Sequence, residues 1–273
     1  MPGHVASGDA AVEFDPSQAA ALLAAAWRSG DLLDGLPDGA CPGNIAQGYD
    51  IQDKLAEAIG QEVIGWKLGA SSPALKRATG LGRSIAGRIF SSCLHLPGAA
   101  VILPNAAPVT IEFEVAYVLG RDILPHEPAF HVPDAIAETR VTFELVLSRF
   151  VDRRAAGWNC LTADNVGFQA LVLGPIIHPA DLPLMLQTLS ITLDGEPAST
   201  RAAEDDMTDP LVSLEDLIQI ARNRQTVLRK GSLVAAGIVS KPVNLPRSAA
   251  VVAARYLDQE VGFRTLIGQG NST

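Results

Sequence analysis

The sequence predicts an α+β protein in which two helices precede a β-rich core. Apolar residues recur at helical spacing in residues 16–33 and 45–59, which indicates two helices. From Val63 onward, short runs rich in Val, Ile, Leu and Phe are separated by Gly and Pro, a pattern typical of strands and turns. We therefore expect an N-terminal helical segment over residues 1–62, packed on a β-rich core over residues 63–273 that forms a single functional unit.

The helices of the N-terminal segment have signals at their ends. Asp15, Pro16 and Ser17 form a typical helix start, and Gly60 can end the second helix. Between the helices, the sequence Pro-Asp-Gly at residues 37–39 is a turn signal.

Further elements follow in the core. Apolar runs predict six strands, at residues 63–68, 99–103, 109–119, 170–173, 189–193 and 232–239. Residues 134–149 are expected to begin as a helix and continue as a strand around Glu144. Residues 214–224 have the pattern of an amphipathic helix, and residues 195–209 before them have the composition of a flexible loop.

Composition and charge exclude several classes of partner. The chain has 273 residues, of which 48% are hydrophobic, and this is enough to bury a full core. Its 21 basic and 30 acidic residues give a formal net charge of -9, which disfavours nucleic acid and anionic membranes as partners. An anionic small-molecule substrate would therefore need a local cation or a metal ion.

The cysteines and the N-terminus indicate a cytoplasmic protein. Three cysteines, without a CxxC pair, predict neither a disulfide framework nor a zinc site. The N-terminus lacks a basic region ahead of an apolar one, and the apolar run at residues 19–27 is too short to span a bilayer.

Three glutamates lie in apolar, strand-like runs. Glu112 and Glu114 share one face of a predicted strand, about 7 Å apart along the chain. Two carboxylates that close repel each other unless a cation lies between them or one is protonated. With Glu144 they would form an all-oxygen site that suits Mg²⁺, Mn²⁺ or Ca²⁺. Alternatively, the two strand glutamates face solvent on a half-exposed antiparallel strand.

A lysine and two serines are further candidates. Lys67 shares a strand face with Gly65 and Gly69, so a ligand could approach the backbone there, although a lysine on an edge strand also protects against aggregation. The hydroxyls of Ser71 and Ser72 could bind a substrate carboxylate or cap the next helix.

Four segments in this order resemble the fumarylacetoacetate hydrolase superfamily, and more closely its branch of 2-keto-4-pentenoate hydratases and 4-oxalocrotonate decarboxylases. The resemblance lies in residues 65–72, 111–122, 143–149, and 162–165 followed by 172–174. It extends from about residue 45 to the C-terminus.

The resemblance implies a mixed β-roll with flanking helices, and a cytoplasmic homo-oligomer that acts in the catabolism of aromatic compounds. It also implies a Mg²⁺ or Mn²⁺ cofactor, held by Glu112, Glu114 and Glu144 and chelated by a 2-oxo acid substrate. The implied activity is a lyase that adds water to a short 2-oxo-alkenoate such as 2-keto-4-pentenoate. The ion would stabilise the enolate as a Lewis acid, and Lys67 would act as the catalytic residue that moves a proton or anchors the intermediate.

The chain departs from this branch in one loop. Residues 82–87 contain no carboxylate where the hydratases usually carry an acid. Arg83 could instead clamp a second substrate carboxylate, or it is a solvated loop arginine. Asp164 could bind substrate or help to order the site, or it could belong to a turn formed with Asn165.

Two other functions therefore stay open. One is decarboxylation or C–C bond hydrolysis by an enzyme of the same superfamily. The other is a member that has lost catalysis and acts as a ligand-binding or assembly subunit.

Overall fold

The computed structural model describes residues 14–245 and 249–268. Within these ranges the chain forms six α-helices and two β-sheets. The helices are α1 Ser17–Ser29, α2 Ile45–Ile59, α3 Pro73–Thr79, α4 Arg153–Ala163, α5 Leu182–Thr188 and α6 Pro210–Asn223. The strands are β1 Val63–Gly69, β2 Ile85–Phe90, β3 Leu94–His95, β4 Ala100–Leu103, β5 Thr110–Leu119, β6 Ile136–Val146, β7 Phe168–Ile176, β8 Ser190–Leu193, β9 Glu196–Thr200, β10 Leu233–Ile238, β11 Val243–Asn244, β12 Val251–Tyr256 and β13 Gln259–Ile267.

Both sheets are mixed. The larger sheet has the order β2-β1-β10-β5-β6-β7-β3, with β11 also paired to β5, and the smaller sheet has the order β4-β13-β12-β8-β9. The pairs β1–β10, β3–β7 and β4–β13 are parallel, and the other pairs are antiparallel. The expected fold class, α+β with a mixed β-roll, is confirmed.

The main core lies between the two sheets. Phe113 of β5 and Phe143 of β6 meet edge to face with ring centroids 5.0 Å apart. Phe143 also packs against Phe263 of β13, and Phe113 against Tyr256 of β12. Because side chains alternate along a strand, the opposite face of β5 carries Glu112 and Glu114. The core thus fixes which side of the larger sheet the glutamates occupy.

The N-terminal helices pack against α4 in a second apolar cluster. Buried members of this cluster include Leu23 of α1, Ile51 of α2 and Cys160 of α4. Helices α2 and α4 approach closely at Gly48, where an added Cβ atom would lie 2.6 Å from the carbonyl oxygen of Asn159. None of the helices in the described ranges has the length and apolar character needed to cross a membrane.

Two local expectations from the sequence are wrong. Residues 134–149 do not begin as an α-helix: after one 3₁₀ turn at residues 132–135, β6 starts at Ile136 and pairs with β5 along its length. Residues 196–200, expected in a flexible loop, form β9 of a hairpin with β8. Asp194 and Gly195, both with positive φ, make its two-residue turn, as Asp-Gly commonly does.

Candidate metal and substrate site

Three glutamate side chains converge on one face of the larger sheet. Glu112 of β5 lies directly opposite Glu144 of β6, and Glu114 is two residues further along β5. One oxygen from each carboxylate lies within 4.8 Å of the others. Glu114 and Glu144 are fully buried, whereas Glu112 is half-buried and lines a cavity. The alternative that the two glutamates of β5 face bulk solvent is therefore wrong.

Burial and mutual repulsion make this cluster unfavourable when it is fully charged. Burial raises the pKa of Glu112, and it raises the pKa of Glu144 to about 7. The pKa of Glu114 is held well above its usual value by burial and then by the charges of Glu144 and Glu112. Oε2 of Glu114 and Oε2 of Glu144 have no hydrogen-bond partner among the described residues. Oxygen atoms in this state fit a hard divalent cation.

Lys67 is the only lysine or arginine in direct contact with the glutamates in the described part of the chain. Its Nζ atom lies 2.7 Å from Oε1 of Glu144, and its side chain is buried. Since β1 is flanked by β2 and β10, Lys67 is not on an edge strand, and the alternative that it protects an edge against aggregation is wrong.

The role expected for Gly65 also changes, because an added Cβ atom there would lie 2.2 Å from the carbonyl oxygen of Leu233. Gly65 therefore allows close strand packing rather than the approach of a ligand.

Glu112, Glu114 and Lys67 line a cavity of about 650 Å³, and Glu144 is buried beside it. Ser71 and Ser72 also line it, and they differ in their hydrogen bonds. Ser72 Oγ accepts a hydrogen bond from the backbone N–H of Leu75 at 3.3 Å and so caps α3. Ser71 Oγ is buried and has no partner in the described structure. Of the two hydroxyls, that of Ser71 is free to meet a ligand.

Two predicted substrate-binding residues are not brought to this cavity. Arg83 is exposed on the loop before β2 and does not line the cavity. Asp164 is buried behind it, where it forms an ion pair with Arg149 and accepts a hydrogen bond from Ser148 Oγ at 2.7 Å. Burial raises the pKa of Asp164, and the Arg149 charge opposes this effect. Arg149 also stacks over Trp27 of α1, so the pair connects the core to the N-terminal helices.

Several cavity residues were not anticipated from the sequence. Three lie on α4, namely Arg153, Arg154 and Trp158, and three lie beside β10, namely Thr208, Ser240 and Lys241. Helix α4 was missed because Gly157, with a φ of 76°, interrupts its helical pattern. Asp152, which caps the helix through its side chain, is the signal that could have located it.

The fold and the site match a known family. The family model "Fumarylacetoacetate (FAA) hydrolase C-terminal" matches residues 89–259, which is more than half of the chain. The chain belongs to the fumarylacetoacetate hydrolase family. The expected resemblance is thereby confirmed, and the match includes all three glutamates.

Curated relatives in the family have the names of enzymes. A 2-keto-4-pentenoate hydratase from Burkholderia vietnamiensis is 29% identical over 245 residues, 86% of this chain and 91% of that protein. A 2-hydroxyhexa-2,4-dienoate hydratase from Comamonas testosteroni is 29% identical over 153 residues, 54% of this chain and 57% of that protein. The prediction that the chain is an enzyme of this superfamily is confirmed.

Solved structures share the fold. The 4-oxalocrotonate decarboxylase from Pseudomonas putida G7, complexed with magnesium and adipate, has a TM-score of 0.79 and 21% identity, over 92% of this chain and 97% of that one. A fumarylpyruvate hydrolase from Pseudomonas aeruginosa, in complex with Mn²⁺ and pyruvate, has a TM-score of 0.51 and 13% identity, over 74% of this chain and 89% of that one. At these identities the likeness establishes the fold.

Proposed function

We propose that the protein is a divalent-metal-dependent hydratase that adds water to a short 2-oxo-alkenoate such as 2-keto-4-pentenoate. The observation that carries the proposal is the buried cluster of Glu112, Glu114 and Glu144 beside Lys67, with carboxylate oxygens that have no hydrogen-bond partner among the residues the structure describes. The hydratase names of the curated relatives support the reaction class.

The three glutamates would hold Mg²⁺ or Mn²⁺. Their all-oxygen donor set suits either ion, and the structural relatives named above are complexes with magnesium and Mn²⁺. A divalent ion supplies Lewis-acid polarisation of the 2-oxo and carboxylate oxygens of a substrate.

The protein's own residues would position the substrate and move a proton. Lys67 Nζ, at 2.7 Å from Glu144, lies where it can donate a proton to the substrate or take one from it. The hydroxyls of Ser71 and Thr208 are buried in the cavity wall and have no partner in the described ranges, so they are available to orient substrate oxygens. Leu161 and Val166 provide apolar lining that limits access of bulk water.

A second candidate is decarboxylation of a related dioxo acid, or hydrolysis of one of its C–C bonds. It is favoured by the absence of a carboxylate in residues 82–87. A member that only binds the ligand would show metal-dependent binding without turnover.

A panel of 2-oxo acids, assayed with Mg²⁺, with Mn²⁺ and with chelator, tests the proposal. We expect hydration only with a divalent ion, and loss of turnover in Lys67→Met and Glu114→Gln. Glu138→Gln is a matched control, because Glu138 lies on β6 like Glu144 but pairs with Arg140 outside the cavity. Release of carbon dioxide or cleavage of the carbon chain, without hydration, would contradict the proposed hydratase and support the second candidate.

Self-association belongs to the same proposal. Ile102, Leu266 and Val251 are exposed on neighbouring strands of the smaller sheet, and exposed apolar groups of this kind are typical of interfaces between subunits. Light scattering of the purified protein gives the number of subunits, and a monomer would contradict this part.

A further inference from the structure

We infer that Val166 is a specificity-determining residue, which limits the width of the cavity beside Lys67, and that Asn165 is the positioning residue that holds Val166 there. The consequence for the ligand is a carbon chain without a branch at the point where it passes Lys67. The inference deepens the proposed function and rests on it for the position of the 2-oxo acid beside the glutamates and Lys67.

The side chain of Val166 occupies the space beside Lys67. Lys67 and Gly69 alternate with Leu68 and so share one face of β1. An added Cβ atom at Gly69 would lie 2.6 Å from Cγ1 of Val166 and 3.8 Å from Nζ of Lys67. The isopropyl group therefore lies where a side chain of residue 69 would otherwise stand, next to the ammonium group. Val166 is 3% exposed and lines the cavity, so it forms an apolar wall at this point.

The backbone of Val166 is held in a conformation that its side chain disfavours. Asn165, Val166 and Gly167 have φ values of 52°, 55° and 68°, so three successive residues are left-handed. Glycine and asparagine tolerate this region, but a β-branched residue rarely adopts it. Residues strained in this way persist only where the surrounding structure holds them, and they concentrate at ligand sites. The position of the isopropyl group is therefore imposed by its neighbours and not by local preference.

Asn165 supplies a contact that holds this turn. Its Oδ1 atom accepts a hydrogen bond from the backbone N–H of Arg88 at 2.6 Å, and its Nδ2 atom donates one to the carbonyl oxygen of Arg88 at 2.9 Å. Arg88 belongs to β2, the last of the described strands at its end of the larger sheet, so the carboxamide takes the place of a further strand. Gly87 allows this approach, because an added Cβ atom there would lie 2.5 Å from the carbonyl oxygen of Asn165. The residue that precedes Val166 is thus anchored by two hydrogen bonds.

Apolar side chains fill the space around Val166. It is buried in a cluster with Ala70 and Ile85, against which Leu81 and Trp158 also pack. Because protein interiors are close-packed, a side chain in such a cluster has little space into which it can withdraw. A branched ligand chain that needs the volume of the isopropyl group is therefore excluded, whereas a straight chain passes along the wall.

The test is a binding experiment with saturated 2-oxo acids of equal carbon number. Isothermal titration with Mg²⁺ compares 2-oxohexanoate with its isomers 3-methyl-2-oxopentanoate and 4-methyl-2-oxopentanoate. In the wild type we expect the straight acid to bind more tightly than at least one branched isomer. In Val166→Ala the affinity ratio should shift toward that isomer about 10- to 100-fold, the size of effect that a methyl-sized change has in an apolar pocket. Equal affinities in the wild type, no binding of any of the acids, or an unchanged ratio in Val166→Ala overturns the inference.

Two further variants control for loss of packing. Val166→Thr keeps the branched shape and should keep the wild-type ratio. Val172→Ala also removes a buried valine, but Val172 lies in the main core and does not line the cavity. Its ratio should equal that of the wild type, and a shift equal to that of Val166→Ala overturns the inference. Circular dichroism of each variant establishes that it is folded.

Asn165→Gly tests the positioning role. It removes both hydrogen bonds to Arg88, and glycine still adopts a left-handed φ. The affinity ratio should shift in the same direction as in Val166→Ala. Because Asn165 acts through Val166, the double variant should shift no further than Val166→Ala alone. A wild-type ratio in Asn165→Gly, even at lowered stability, overturns the positioning role.

The saturated acids separate this inference from the proposed reaction. They have no double bond to hydrate, so their binding does not depend on turnover. If the affinity ratio shifts as expected but no 2-oxo-alkenoate is hydrated, the proposed reaction is wrong and the role of Val166 is supported. If hydration occurs, kcat/KM for straight and methyl-branched 2-oxo-alkenoates should change in Val166→Ala in the same direction as the affinities, and the opposite change overturns the inference.

Discussion

Lys67 Nζ lies 2.7 Å from Glu144 Oε1, and both side chains are buried. This contact pairs one of three converging carboxylates, and the other two form no direct ion pair with any described residue. When all four groups are charged, their sum is minus two, which one divalent ion balances. The geometry thus explains both why the metal-free cluster is unfavourable and why a second basic residue is not needed at its centre.

A divalent ion should stabilise the folded protein. Mg²⁺ at 100 times its dissociation constant contributes about 2.7 kcal/mol, which corresponds to a rise in Tm of about 5–10 °C for a chain of this size. Differential scanning fluorimetry with Mg²⁺ or with chelator measures the shift. Glu114→Gln should abolish it and Glu138→Gln should retain it; an equal shift in both variants would show that the ion binds elsewhere.

The stability of the metal-free protein should fall as the pH rises from about 4.5 to about 7. The pKa of Glu144 is raised to about 7 by burial, and that of Glu114 is held well above its usual value by burial and by the neighbouring carboxylates. The folded state therefore binds more protons than the unfolded state in this interval, so the free energy of unfolding decreases with pH. Urea unfolding in chelator at several pH values measures this.

The affinity for the metal ion should increase with pH, whereas the stability of the metal-free protein decreases. Because the ion displaces protons from the glutamates, Mg²⁺ should bind more tightly as the pH rises through the same interval. Titration calorimetry in buffers of different ionisation enthalpy detects the released protons. Binding without proton release would contradict the raised pKa values.

Asp164→Asn should destabilise the protein and leave substrate binding unchanged. The substitution leaves Arg149 as a buried cation without its partner, and breaking such a pair costs about 3–5 kcal/mol. Urea unfolding gives the loss of stability, and KM of the folded fraction tests the substrate role predicted from the sequence. Asp152→Asn is the control, since asparagine also caps helices well. A raised KM at unchanged stability would instead support the prediction that Asp164 binds substrate.

Substitutions of the two adjacent serines should have different effects on stability and on KM. Ser72→Ala removes the cap of α3 and should cost about 1 kcal/mol of stability. Ser71→Ala removes a cavity hydroxyl that has no partner in the described structure, so it should raise KM with little effect on stability. Thermal unfolding and steady-state kinetics of both variants check this pattern, and the reverse pattern would contradict it.

The glutamate cluster was predictable because it depends on local alternation. Glu112 and Glu114 must share a face wherever residues 110–119 form a strand, and the apolar residues around Glu144 indicate a second buried strand. The hairpin at Asp194 was also encoded locally, by an Asp-Gly turn within a stretch that has the composition of a loop.

The contribution of α4 to the cavity was not predictable in this way. Arg153 of α4 reaches Thr110 of β5 only through the tertiary fold, and Gly157 weakens the helical pattern that would have revealed α4. Likewise, Asp164 has the sequence context of a turn, and only the tertiary structure pairs it with Arg149. Contacts between distant segments decide both outcomes.

The tight approach of α2 to α4 at Gly48 has an evolutionary consequence. The same helix that meets Gly48 through Asn159 carries Arg153 and Trp158 into the cavity. A bulkier residue at position 48 would displace that helix and, with it, the cavity residues that the helix carries. Substrate preference in this protein can therefore drift through changes in residues 14–60, none of which lines the ligand cavity.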